Sequence, residues 1–394
     1  MKAVGIAIAV VLISACGSTP AANASPTPSS PLARASATPP AGKLIAILRS
    51  SNASGSNVDT FDSVAIVGLD GHVRASASFA PMPKPNVGCM GAIDPPSAHT
   101  VGDKVYFADG HGVIRSLTAD GTTAIVATLP LTSTQQMLSF AISPEATKLL
   151  AAIFTAPVNA FPCEATKPAG TYTFDVYAGP VGGSVQRVSH RSWTGPQDVM
   201  TFNGWDAAGP LGRFPAVWAS QGGGAASTIG VFARIDATTL KATPFSDPTT
   251  CFVWSSIATG EYTCTAIPAS QSATSARIKT TVNVRTADSH PEWTFNVQDA
   301  NEANAPFLAP DGHHVVVCCD LDASGEFLVS DTGAQSLLAG GFFAAGWVDA
   351  TTVFGWTDST ADQPAGMASY VILDAPQTIV KLGTSGRFVG PVAA

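Results

Sequence analysis

Charge is scarce in this chain. Only 12% of its 394 residues are Asp, Glu, Lys or Arg, about half the usual share. The 20 Lys and Arg against 28 Asp and Glu leave a net charge of −8. No basic patch stands out, so nucleic acid is not an expected partner. After the first fifteen residues, no apolar run approaches the roughly 20 residues of a spanning helix. There is no Gly-x-Ser-x-Gly elbow, no His-Glu-x-x-His and no Cys-x-x-Cys, so the linear signatures of common hydrolases and zinc sites are missing. Gly110-His111-Gly112 lacks the strand-then-helix setting of a phosphate loop. His313 and His314 are neighbours, and adjacent side chains on extended backbone point apart, which disfavours a shared metal.

What is present starts with an address. Lys2 supplies one positive charge, and Ala3 to Ala15 is uncharged and rich in Ala, Val, Ile and Leu. That length fits the apolar region of a secretory signal rather than a span. Ser14 and Ala15 are small, and Cys16 follows. Residues 1–16 resemble a bacterial lipoprotein signal with its lipobox. The resemblance implies removal of residues 1–15 and a diacylglyceryl thioether on Cys16, and two acyl chains suffice for stable attachment. Gly17 after the cysteine leaves both the outer membrane and the outer face of the cytoplasmic membrane as locations.

Residues 16–42 read as a tether. From Gly17 to Gly42, 21 of 26 residues are Pro, Ala, Ser or Thr, and Arg34 is the only charge. Such a segment cannot bury enough surface to fold. Its six prolines favour polyproline II, which fully extended would reach roughly 80 Å. Residues 43–394 form the globular part.

Cysteine usage agrees with export. With Cys16 assigned to lipid, six of seven cysteines remain, an even number that suggests disulfides, with fifteen full pairings open. Cys251–Cys264 is favoured as a bridge between neighbouring strands, and Cys89–Cys163 as a tie between two long loops. Cys318 and Cys319 would then be a vicinal pair or stay reduced.

The globular part reads as β throughout. Val105–Ala108, Val113–Leu117 and Thr123–Ala127 are short β-branched or aromatic runs separated by turn residues such as Asp120-Gly121, the pattern of hairpins. The unit recurs. Ser143-Pro144-Glu145 precedes Lys148–Phe154, and Pro310-Asp311-Gly312 precedes Val315–Val317. These segments resemble the Ser-Pro-Asp-Gly blade of TolB-like and WD40-like β-propellers, most closely over about 304 to 340. The segment at 143–146 has Glu-Ala where Asp-Gly is expected. Blade starts fall near 98, 137, 198, 251, 304 and 342, with one more blade from 43. The expectation is a seven-bladed, all-β propeller with repeats of about 50 residues. Lys43–Leu48 reads as a second strand without a first, and Arg387–Val392 is left over. The C-terminal strand is therefore expected to close the ring as the innermost strand of the first blade.

A propeller presents its D–A and B–C connections at one end. The longest are 51–63, 80–97 and 155–171, and long loops in compact domains are often functional. Their charged residues include Asp59, Asp62, Lys84, Asp94, Glu164 and Lys167. Six of the seven Trp fall in strand runs and read as packing between blades. Trp193 falls in an expected D–A connection. Asp94, Glu164, Lys167 and Trp193 are thus the candidate ligand contacts. Asp320, Asp322 and Ser324, with Asp331 at the twelfth position, are spaced like the start of a calcium loop. The blade pattern assigns the same segment to a B–C turn, so no cofactor is required. The expected function is a monomeric, membrane-anchored binding or scaffold module for an envelope protein, peptide or glycan. The alternative is a propeller enzyme, lactonase- or lyase-like, acting over the central channel. Fold resemblance alone does not choose between them.

Overall fold

The computed structural model describes residues 42–51, 60–83, 97–158, 170–194, 201–214, 231–245, 251–265, 280–297, 304–318, 327–338, 342–357, 366–371 and 378–394. Every regular element among them is a β-strand. Cys16, the tether, Cys89, Cys163 and Cys319 lie outside the described residues.

The chain opens with β1 (Leu44–Arg49), β2 (Ser63–Gly68) and β3 (Val73–Ser78). Four consecutive strands then form a first blade: β4 (Ala98–Val101), β5 (Lys104–Ala108), β6 (Val113–Thr118) and β7 (Thr123–Thr128). The second is β8 (Gln136–Ile142), β9 (Lys148–Thr155), β10 (Thr171–Pro180) and β11 (Gln186–Thr194). The third is β12 (Thr201–Asp206), β13 (Gly209–Phe214), β14 (Val231–Ile235) and β15 (Ala242–Pro244). The fourth is β16 (Phe252–Ser256), β17 (Tyr262–Thr265), β18 (Thr280–Arg285) and β19 (Pro291–Val297). The fifth is β20 (Asn304–Leu308), β21 (His314–Cys318), β22 (Phe327–Ser330) and β23 (Gln335–Leu337). The sixth is β24 (Phe342–Asp349), β25 (Thr352–Thr357), β26 (Gly366–Val371) and β27 (Thr378–Lys381). Last comes β28 (Arg387–Val392).

The expected count of seven blades needs correction. Six blades are complete repeats, each built from four strands that follow one another in the chain. The remaining sheet, ordered β28-β1-β2-β3, is a composite of the two chain ends. Residues 43–97 supply only three of its strands, and the expectation counted this shared sheet as a seventh blade.

The composite sheet closes the ring. β28 pairs antiparallel with β1, Leu44 opposite Val392 and Leu48 opposite Arg387. β28 also packs against β24 on one side and β4 on the other. The side chain of Lys43 donates to Thr352 Oγ1 at 3.0 Å and pairs with Asp349. Period-two alternation then explains why β1 is apolar on both faces. Leu44, Ala46 and Leu48 join Val105 and Phe107 of the β4–β7 blade in one core, while Ile45 and Ile47 join Val348 and Phe354 of the β24–β27 blade in another. β9 is divided the same way, with Leu149, Ala151 and Ile153 on one side and Leu150, Ala152 and Phe154 on the other.

Cys251, just before β16, is bonded to Cys264 of β17, with Cα atoms 5.2 Å apart. The bridge is buried beside Val253 and Tyr262, as the spacing suggested.

Two of the A–B turns share one geometry. At Ala309 the N–H donates to the His314 carbonyl, and Gly312, at φ 75°, donates back to Ala309. The turn at Ser143 repeats both bonds, but Ala146 occupies the glycine position at φ 54°. This is where the repeat departs from Asp-Gly, and a Cβ in the left-handed region costs about 1–2 kcal/mol. Ala146→Gly is expected to raise stability by about 0.5–1 kcal/mol after the entropy of the freer unfolded chain is subtracted. Urea denaturation measures this, and a destabilised variant would contradict the assignment. Removing residues 386–394 should lower the melting temperature by about 10 °C or more, since several kcal/mol of strand pairing and burial are lost. Unchanged melting would overturn the closure.

Candidate functional site

The B–C and D–A connections lie at one end of the ring, the A–B and C–D turns at the other. At the first end the described residues offer hydroxyl, amide and aromatic groups. Gln136 Oε1 accepts from the Thr132 and Ser133 amides at 2.6 and 3.0 Å, and Gln136 Nε2 donates to Thr155 Oγ1 at 3.3 Å. The Asp62 carboxylate is taken up locally. Ser51 donates from its hydroxyl and its amide, and Ser63 from its hydroxyl. The Ser51 hydroxyl, chiefly, holds the Asp62 pKa below the usual carboxylate value, against a smaller opposing effect of burial. Asp109 Oδ1 accepts from the amides of His111 and Val113 at 2.9 Å each. Its Oδ2 lies 3.6 Å from Arg115 Nε.

One aromatic group at this end is left open: Trp356 is 48% exposed. It sits at the penultimate position of β25, next to the B–C connection, directly opposite Phe343 of the innermost strand β24. The two rings stack with centroids 6.2 Å apart and planes 19° from parallel. Gly355 permits this, since a Cβ there would collide with the Phe343 carbonyl. The same alternation that turns Phe354 into the core between β24–β27 and the composite sheet places Trp356 two residues further along, beyond that core. Deeper on this face, Phe354 meets Phe388 of β28 at 5.1 Å. At the start of β28, the Arg387 guanidinium lies 5.7 Å from the Phe61 ring centre. This end of the ring thus presents a flat, backed aromatic face beside a strand end that carries a cation. Such a surface can stack a ring or grip an apolar side chain; it holds no nucleophile–base pair among the residues described.

Of the expected contacts, Asp94, Glu164 and Lys167 lie outside the described residues, as do Asp320, Asp322 and Ser324. Asp331, the last of the calcium series, binds the ring of His313 at 2.8 Å. Trp193 is not in a connection. It is part of β11 and opposite Tyr172, stacked on it at 6.2 Å and 9°. β11 is an outer strand with a largely exposed pattern, so its run lacks the alternating apolar residues that mark a strand. Trp347 and Trp293 serve as packing groups, donating to the carbonyls of Phe307 and Gly312 at 2.9 and 3.2 Å. Trp356 was assigned to packing with them. The signal that separates it is its place at the open end of a second strand. Among the described residues, no three His, Cys, Asp or Glu side chains are grouped to hold a metal ion.

Several solved structures are similar in fold. An oligogalacturonate lyase in complex with manganese aligns at 7% identity and a TM-score of 0.49, over 84% of this chain and 91% of that one. The Dos1 propeller aligns at 8% and 0.44, over 88% and 86%. A TolB protein from Agrobacterium tumefaciens aligns at 14% and 0.34, over 68% and 84%. No family model and no curated protein sequence matches the chain.

Gly355→Ala is expected to push Phe343 away from Trp356 and to cost about 1–3 kcal/mol, the usual range for overpacking. Chemical denaturation and the near-ultraviolet circular dichroism of the tryptophans report both effects. A variant with parental stability and an unaltered aromatic spectrum would show that the pair does not depend on this close approach.

Proposed function

We propose that the protein is a lipid-anchored, extracytoplasmic binding module. In this reading Cys16 carries the lipid, residues 17–42 form the tether, and the B–C/D–A end of the ring binds an envelope protein, peptide or glycan. The observation that carries the binding half is the exposed Trp356, held flat by Phe343. Large aromatics with one free face are the usual anchors of recognition surfaces. Lys43 immediately precedes β1. It is fixed at the A–B end by Asp349 and Thr352, at the other end of β25 from Trp356.

Two substitutions test the two halves separately. Cys16→Ala should move the protein from the membrane pellet to the soluble fraction with its fold intact. A photoreactive amino acid in place of Trp356 should crosslink to a specific partner in intact cells, whereas the same group at exposed Val73 on the rim should not. Retention of the Cys16→Ala protein in the membrane sinks the anchor. Equal labelling from both positions, or none from 356, sinks the binding end.

A further inference from the structure

We propose that the seam between the β4–β7 and β8–β11 blades is an acid-sensitive joint, loosened when His99 takes up a second ring proton. This inference stands apart from the proposed function, because it concerns the ring itself. His99 lies on the innermost strand β4, opposite Tyr106 of β5. Its ring meets Phe140 of β8 edge-on, with centroids 4.9 Å apart and planes at 84°. The imidazole donates a hydrogen bond to the Phe140 backbone carbonyl. Nε2 is fully shielded and has no partner, which leaves Nδ1 as the donor across the seam.

The site is built for a neutral ring. A proton on Nε2 would point into apolar surroundings with no acceptor, and an unpaired buried charge is expensive. The core on this side comprises Tyr106, Leu138, Phe140 and Ile142, with Val101 beside them. From β5 the facing titratable group is the Tyr106 hydroxyl, itself pushed up by burial and then by Asp103. From β8 the neighbours are Leu138, Phe140 and the neutral Ser139. No charged side chain is among the influences on the ring, and desolvation lowers its pKa to about 4.

The sign follows directly. The folded state holds its proton less tightly than the open state, whose imidazole titrates near 6.5. The closed seam is therefore fully favoured above about pH 6.5 and loses ground as pH falls from there towards 4. Between pH 7 and pH 5 the equilibrium for opening should rise about 20-fold by this linkage. The bond to the Phe140 backbone favours the charged ring and burial opposes it more strongly, so the opening would fall at the innermost strands, next to the end of the ring that carries Trp356.

Hydrogen exchange on the full-length protein tests the idea. From pH 7 to pH 5, protection factors of β4 and β8 amides should fall about 20-fold more than those of β20 and β24. His99→Gln, which keeps a donor for the Phe140 carbonyl but cannot gain a proton in this range, should abolish the difference. Should that variant fold poorly, the ring nitrogens of His99 in the wild-type protein can be titrated by NMR. A titration below pH 5 agrees with the joint. A midpoint near 6.5, or the same loss of protection in β20 and β24 as in β4 and β8, overturns it.

Discussion

The antiparallel ladder between β28 and β1 joins residues 387–392 to residues 44–48, and the rest of the ring stands on it. A blade has two apolar faces and cannot bury either alone. Each face is covered only by the next blade, so an open array would leave two faces bare. The composite sheet fills that gap. Its second strand sends Leu44, Ala46 and Leu48 into one neighbouring core and Ile45 and Ile47 into the other. At about 1.5–3 kcal/mol for each large aliphatic side chain buried, β1 alone couples both flanking blades by an amount comparable to the whole stability of a domain. The latch of Lys43 onto Asp349 and Thr352 is a smaller addition, partly exposed and therefore screened. Its use is geometric: it fixes the residue before β1 to the last complete blade.

A second constraint follows from the ring. Each innermost strand pairs with one neighbour, so its other edge carries unpaired amides and carbonyls. Side chains of the adjacent blade answer them. The Phe202 amide donates to Ser139 Oγ at 3.1 Å. The Ser255 and Thr263 hydroxyls both donate to the Pro306 carbonyl, at 2.8 and 2.7 Å, and the Leu308 amide returns a bond to Ser255 Oγ at 3.2 Å. Trp347 reaches the Phe307 carbonyl, and His99 the Phe140 carbonyl. The wealth of Ser and Thr in a chain with so little charge has a structural use here. A hydroxyl can satisfy a strand edge inside an apolar seam at small desolvation cost, where a carboxylate or ammonium could not. His99 differs from the other clasps because it alone among them can gain a charge in mildly acidic solution.

Much of this was legible before any coordinates. The blade starts expected near 98, 137, 304 and 342 fall within a residue of β4, β8, β20 and β24, because turn residues and two-residue alternation are local signals. Cys251–Cys264 was legible because its spacing suits two adjoining strands. The blade count was not, because the expectation counted the sheet shared by the two chain ends as a seventh repeat beside six that are each continuous in the chain. Two tryptophans depart from the sequence reading for a related reason. Trp193 sits in an outer strand with few apolar residues, so the segment looks like a loop. Trp356 sits in an apolar strand, so it looks like core. Exposure depends on what the neighbouring blade covers, and that is set by register between segments far apart in sequence.

The two ends of the ring also differ in what their chemistry leaves free. At the A–B and C–D end, Asp70, Asp120, Asp236 and Asp288 each accept from amides or hydroxyls within their own turns, and their pKa values are lowered by those bonds first or in large part. Such carboxylates hold a hairpin's shape, and their lone pairs are already engaged. At the other end the aromatic pair Phe343–Trp356 has its hydrophobic surface only half covered, and uncovered aromatic area is what association can still bury. The division follows from the strand directions: tight reversals close one end, and the longer crossings between and within blades fall at the other. The open end of β25 is where aromatic surface is left for association to cover.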